Sequence, residues 1–197
     1  EKMPAEEKAE QTAMIAFRGK VSAEADKGVN DMISRQKLVI PTYEMDEAEK
    51  APVFYDVRNH QGTRGNIYPI PMTDTFKNVK TDREYDAIRL ENEFIRVTVL
   101  PQLGGRIYEG YDKKADYHFV YKNNVIKPAL IGLCGAWISG GIEFNWPQHR
   151  RPTTFMPVDS WIEKGEDGSE TAWMGEYEPL FGMKGMVGVT IWPDKAM

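Results

Sequence analysis

Apolar and polar residues alternate most cleanly between positions 86 and 101. Ile88 and Leu90 are interleaved with charged neighbours, and Ile95, Val97 and Val99 repeat the pattern. A period of two places these side chains on the buried face of two paired strands. Glu91-Asn92-Glu93 supplies the turn between them, and Pro101 ends the second strand. Gly104-Gly105 then permits a tight reversal before the short run from Arg106 to Tyr111. A second hairpin is legible at 158–177, where Val158–Lys164 and Glu170–Tyr177 flank Asp167-Gly168, a pair suited to a tight turn. Trp161 and Trp173 fall on its two arms, within pairing reach of each other. Met186–Trp192 reads as one more strand, closed by Pro193-Asp194.

Upstream, apolar runs are shorter and more punctuated: Lys37–Ile40 before Pro41, Val53–Val57, and Asn66–Ile70. Pro41, Pro52, Pro69 and Pro71 favour edge strands and extended crossings over central strands. Residues 36–84 therefore read as an extended arm wrapping a sheet whose body lies at 85–197. Residues 1–35 differ again, being rich in Ala, Glu and Lys and lacking tryptophan. Ala9, Ala13, Met14 and Phe17 recur at helical spacing, Pro4 suits a first turn and Gly19 a stop, so this leader reads as a short helix or as disordered chain. The expected fold is all-β and mainly antiparallel behind that leader. The abrupt end at Met197 adds the expectation of a β-sandwich missing some partner strands, whose edges would otherwise stand exposed.

Composition narrows the function classes. With 41% hydrophobic and 11% aromatic residues among 197, the chain has the apolar area for a core. A formal net charge of −5 leaves no electrostatic footprint for nucleic acid, and no polybasic run suggests an anionic membrane. No apolar run reaches the roughly 20 residues that span a bilayer. The single cysteine, Cys134, sits in an apolar stretch and fits a small buried hydrophobe. Three histidines and one cysteine show no zinc-ligand spacing, and neither a metal nor a cofactor is expected. The compartment stays open.

All five tryptophans lie between 137 and 192, and Trp137 and Trp146 bracket the most unusual segment. It holds Gly140-Gly141, Glu143, Asn145, Trp146, His149, Arg150, Arg151 and Pro152. A sugar site needs a flat apolar surface for the ring and a few fixed polar groups for its hydroxyls. Acid–base chemistry on a sugar needs a carboxylate or imidazole within hydrogen-bond reach. This segment holds every part. Read as a strand, 142–146 puts Glu143 and Asn145 on one face and Ile142, Phe144 and Trp146 on the other. The same residues also fit a plain structural role: Phe144 and Trp146 as core, the arginines as solvated charge, His149 as a packing residue. Glu143 is the best single candidate, because an acid in a Gly-bounded, aromatic-rich run needs a partner or a purpose. His60 reads as an exposed turn residue and His118 as a sheet residue. Asp112 and Asp116 flank a Lys-Lys turn and read as solvated. Gly62–Gly65 lacks the lysine and helix of a phosphate loop.

Two motifs carry a family resemblance. Leu90–Ile107, with its Pro101-Gln-Leu-Gly-Gly-Arg-Ile end, resembles the opening of the galactose-mutarotase-like superfamily. Trp137–Thr154 is similar to the bacterial family called domain of unknown function 5107, whose members are often followed by tetratricopeptide repeats. The resemblance covers about 37–197. It implies the N-terminal part of a β-supersandwich that binds or acts on carbohydrate, with a further partner domain C-terminal to these residues. It places Arg106, Glu143, His149 and Arg151 near a pocket without fixing their roles.

Three readings follow. In the first, the chain belongs to a glycoside hydrolase or sugar epimerase. Glu143 and His149 are then catalytic, Arg106, Asn145 and Arg151 bind substrate, and Trp146 is the platform; a second carboxylate is not identifiable. In the second, the same set recognises a mono- or oligosaccharide without turning it over. In the third, the Trp-rich segment is only core.

Overall fold

The computed structural model describes residues 31–48, 50, 53–54, 67–68, 73–130, 136–146, 153–178 and 181–196. The leader helix expected near Pro4–Phe17, and Cys134, lie outside the described residues. The described chain is all-β and antiparallel, interrupted by one short 3₁₀ turn at Pro101–Leu103. Its strands are β1 (Ile33–Met45), β2 (Val53–Phe54), β3 (Ile67–Tyr68), β4 (Phe76–Glu91), β5 (Ile95–Leu100), β6 (Arg106–Asp112), β7 (Tyr117–His118), β8 (Pro128–Leu130), β9 (Ala136–Ile138), β10 (Asp159–Lys164), β11 (Glu170–Glu178) and β12 (Met183–Ile191).

One sheet has the order β1-β4-β5-β6-β7 and a second the order β10-β11-β12; β2–β3 and β8–β9 are small two-stranded pairs. The β4–β5 turn closes where expected, with the Asn92 carboxamide oxygen accepting from the amides of Phe94 and Ile95, both at 2.9 Å. The second hairpin also forms in the expected register: Trp161 stands opposite Trp173, their rings stacked at 5.9 Å. Met186–Trp192 falls largely within β12. β1 extends through Pro41 to Met45 and pairs with β4 from Ile33 opposite Leu90 to Met45 opposite Phe76. Pro41 is tolerated because β1 is an edge strand of its sheet.

The centre of the five-stranded sheet is buried on both faces. On one, Ile88, Leu90, Val97 and Val99 meet Ala172, Met174 and Ile191 of the second sheet. On the other, Tyr85, Ala87, Leu100 and Tyr108 pack with Ile126, Ile138 and Phe155. Each fully buried Ile, Leu or Val contributes about 1.5–3 kcal/mol relative to exposure. The alternation predicted only the first of these faces. Three polar ties fasten the two sheets. Glu170, buried on β11, accepts the Ile33 amide at 2.8 Å and the Met32 amide at 3.3 Å. Arg35 donates to the Ser160 carbonyl at 3.0 Å. Asn92 donates to the Trp192 carbonyl at 2.8 Å.

β6 carries one more residue than β5 needs. Thr98 pairs with Glu109 and Val99 with Ile107, so Tyr108 is the extra residue of a β-bulge. Tyr108 and Glu109 therefore both turn toward the face shared by Thr98 and Leu100.

Candidate functional site

The site begins at the first residue of β6. The Arg106 side chain is 1% exposed, under the turn that follows β9. Its Nη1 donates to the carbonyls of Ile138 at 2.8 Å and Gly140 at 2.9 Å. Gly140 and Gly141 both have positive φ, 90° and 74°, which reverses the chain toward β6. A Cβ on Gly141 would collide with the Ile107 carbonyl oxygen, so the approach is open only to glycine. Ile142 and Ile107 then exchange two backbone hydrogen bonds, at 2.8 and 3.1 Å.

That bridge delivers Glu143 to Arg106. Glu143 Oε2 stands 3.7 Å from Arg106 Nη2, and the carboxylate side chain is 22% exposed. Asn145 Nδ2 donates to Glu143 Oε1 at 3.3 Å. The shared side expected for Glu143 and Asn145 is thus present, but the strand expected over 142–146 is not. Ile142 forms only an isolated bridge, and 143–146 have no regular structure.

The segment then crosses to the second sheet. The Trp146 indole packs against Gly185 of β12, in the space a side chain there would fill. Gly185 pairs with Glu176 of β11, whose Oε1 accepts from the Thr153 hydroxyl at 2.5 Å. Trp146 and Thr153, which flank 147–152, therefore both land on one cross-strand pair. Glu176 and Gly185 share the face of Ala172 and Met174, and Trp146 is seated against that face; Arg106, paired with Leu100, projects from the other face of the first sheet, where Glu143 meets it. His149 and Arg151 lie outside the described residues, as does His60.

The model of the family described as "Domain of unknown function (DUF5107)" matches residues 63–197. The chain belongs to the DUF5107 family. The match takes in Arg106, Glu143, Trp146 and Glu176. This DUF5107 chain is also similar in fold to the crystal structure of a TPR-domain containing protein from Parabacteroides distasonis. That likeness has a TM-score of 0.72 and 23% identity over 83% of this chain. The chain spans 27% of that protein.

A second polar cluster in this DUF5107 chain lies along β6, and sequence patterning missed it. Glu109 is buried, yet Arg96 Nη2 stands 3.4 Å, His118 Nδ1 3.5 Å and Lys122 Nζ 3.5 Å from its Oε1. Thr98 donates to Oε2 at 3.3 Å. Burial alone would raise the Glu109 pKa, but the Lys122 and Arg96 charges and the hydrogen bonds from Arg96 and Thr98 prevail and lower it. Tyr108 beside it is pushed up to about 12, first by burial and then by the Glu109 charge; its hydroxyl donates to the Asn123 carbonyl at 2.7 Å. His118 is the sheet residue expected, but with a carboxylate partner. Asp112 caps its own turn by accepting from the Lys114 and Ala115 amides, and Asp116 accepts from the Tyr111 hydroxyl at 2.6 Å. Among the described residues no three His, Cys, Asp or Glu side chains gather as a metal site.

Proposed function

We propose that this DUF5107 chain carries a carbohydrate site at the end of the sandwich where Glu143 meets Arg106, and that the protein acts on a glycoside or an epimerisable sugar by acid–base chemistry. The observation that carries the reading is the buried Arg106 holding Glu143 in place while Trp146 is seated on the opposite sheet. Sugar recognition draws on an aromatic surface, and proton transfer on a fixed carboxylate. Glu143 serves as general acid or base, Asn145 and Arg106 as positioning and hydroxyl-binding groups, and Trp146 as the apolar wall. His149 is the proton carrier and Arg151 a further substrate ligand. Glu176, on the same side as Trp146, is the candidate for the second carboxylate that glycosidase chemistry uses. The resemblance of the Leu90–Ile107 motif to mutarotase-like proteins supports the same substrate class, as does the architecture of packed antiparallel sheets.

A non-catalytic sugar-recognition module is the second reading. The Glu143–Asn145 hydrogen bond favours it, because a carboxylate beside an amide can accept from and donate to neighbouring hydroxyls without moving a proton.

The test is a thermal-shift and product screen of the full-length protein against mono- and oligosaccharides, with Glu143→Gln, Glu176→Gln and His149→Ala in parallel. Product formation abolished by Glu143→Gln, with sugar-induced stabilisation retained, supports the enzyme. Stabilisation without product supports the module. No response to any sugar sinks both.

A further inference from the structure

The Glu109 cluster carries more cation than its one carboxylate needs. Arg96 of β5, His118 of β7 and Lys122 beyond it converge on a single oxygen, none closer than 3.4 Å. Glu91, opposite Arg96 across the β4–β5 pair, is already engaged by Lys113 at 2.7 Å. Asp116 is taken by Tyr111. Arg96 and Lys122 thus leave one positive charge beyond Glu109.

The cations are also held ready. Arg96 lies 4.7 Å over the Tyr111 ring and Lys122 5.5 Å over the Tyr108 ring. Tyr111 also packs 5.0 Å from the His118 ring. Cation–π seating restrains long side chains that would otherwise lose rotamer entropy on binding. All three groups still reach the surface, with side-chain exposures of 28% for Arg96, 30% for Lys122 and 46% for His118. A buried anion beneath three partly exposed donors is a base that holds them apart, and their outward N–H groups are left for a second anion.

We propose that Arg96, His118 and Lys122, braced by Glu109, form an oxyanion-binding site for the carboxylate of an acidic sugar or for a phosphate group. The site is distinct from the Arg106–Glu143 end of the sandwich and stands whether or not that end binds sugar. Charge-assisted hydrogen bonds from Arg96 and Lys122 supply the affinity, and the half-exposed His118 ring forms the third side of the site.

The experiment is isothermal titration calorimetry of the full-length protein at low ionic strength with galacturonate, inorganic phosphate and neutral galactose. The expected result is binding of galacturonate or phosphate that weakens with added salt and drops roughly tenfold in Lys122→Gln and in His118→Gln. Glu109→Gln is expected to bind the anion more tightly where it folds; the two surface variants carry the test where it does not. Galacturonate without phosphate assigns a sugar carboxylate, and phosphate without galacturonate assigns a phosphate group. Galactose bound as well as galacturonate, and indifferent to Lys122→Gln, overturns this site while leaving the Glu143 reading intact. No binding of either anion overturns it as well.

Discussion

The indole of Trp146 occupies the space above Gly185 that any side chain there would need. Through this contact the segment that leaves Arg106 reaches the second sheet. Gly185→Ala should therefore dislodge Trp146 before it disturbs the β11–β12 ladder. Overpacking of this kind costs about 1–3 kcal/mol. Most of that cost should vanish in the Gly185→Ala/Trp146→Ala double variant, because the clash is then gone. Urea denaturation of the four proteins measures it; additive costs would mean that the two residues do not press on each other in solution.

The hairpins at 86–100 and 158–177 were legible because their signals are local. Alternation marks the buried face, and Asn92 or Asp167-Gly168 marks the turn. The first half of β4 gave no such signal. Lys77–Asp82 are exposed, so the strand state is set by pairing with β1, as where Lys80–Asp82 face Pro41–Tyr43, distant in sequence. Glu109 was hidden for a different reason. Counting by twos from Ile107 puts Glu109 on the face toward the second sheet, and only the bulge at Tyr108 turns it to the other. In the candidate site, Glu143 was flagged by being an acid among aromatics and glycines. Arg106 entered only through a family motif, because the Ile107–Ile142 bridge that joins them is a tertiary event. Glu176 enters only with the structure, because Trp146 and Thr153 both land on its cross-strand pair with Gly185.

Arg106 and Glu143 should not be equally costly to lose. Arg106→Met leaves the Ile138 and Gly140 carbonyls without their donor and Glu143 without its cation, a change worth about 3–5 kcal/mol. Glu143→Gln keeps a side chain that reaches solvent, and Arg106 keeps both carbonyl bonds, so about 1 kcal/mol is expected. Chemical denaturation of the two variants gives the order. Equal losses would mean that the ion pair, and not the anchoring of the Gly140 turn, is what Arg106 contributes.

Glu170 ties the start of β1 to the second sheet through two backbone amides. Glu170→Ala orphans the Met32 and Ile33 N–H groups in a region where Ile33 is buried, at a cost of about 1–3 kcal/mol. The loss should be local first. Hydrogen exchange at Ile33 should accelerate while Val97 and Val99, at the centre of the sheet, stay protected. Uniform acceleration across both strands would show that the tie supports the whole sandwich.

Acid should loosen the β10–β11 turn through Asp167. Its carboxylate accepts from the Ser169 hydroxyl at 2.6 Å, the Trp192 indole at 3.0 Å and the Ser169 amide at 3.1 Å, and these bonds lower its pKa from 3.8 to about 2. Between those values the unfolded chain holds a proton that the folded chain does not, so stability rises with pH across that window. The contribution is fully present above the ordinary value and is lost as pH falls through the lowered one. Asp167→Asn keeps a side-chain acceptor but removes the titration. Glu91 and Glu109 are also held below their ordinary range, Glu91 by Lys113 against the opposing effect of burial, and they give acid sensitivity to both proteins alike. The informative quantity is therefore the difference in Tm between the parent and Asp167→Asn, followed from pH 5 to pH 2. That difference should shrink steadily over the lower half of the range as the parent loses its advantage. Parallel Tm curves would mean that the charge on Asp167 does not hold the turn to Trp192.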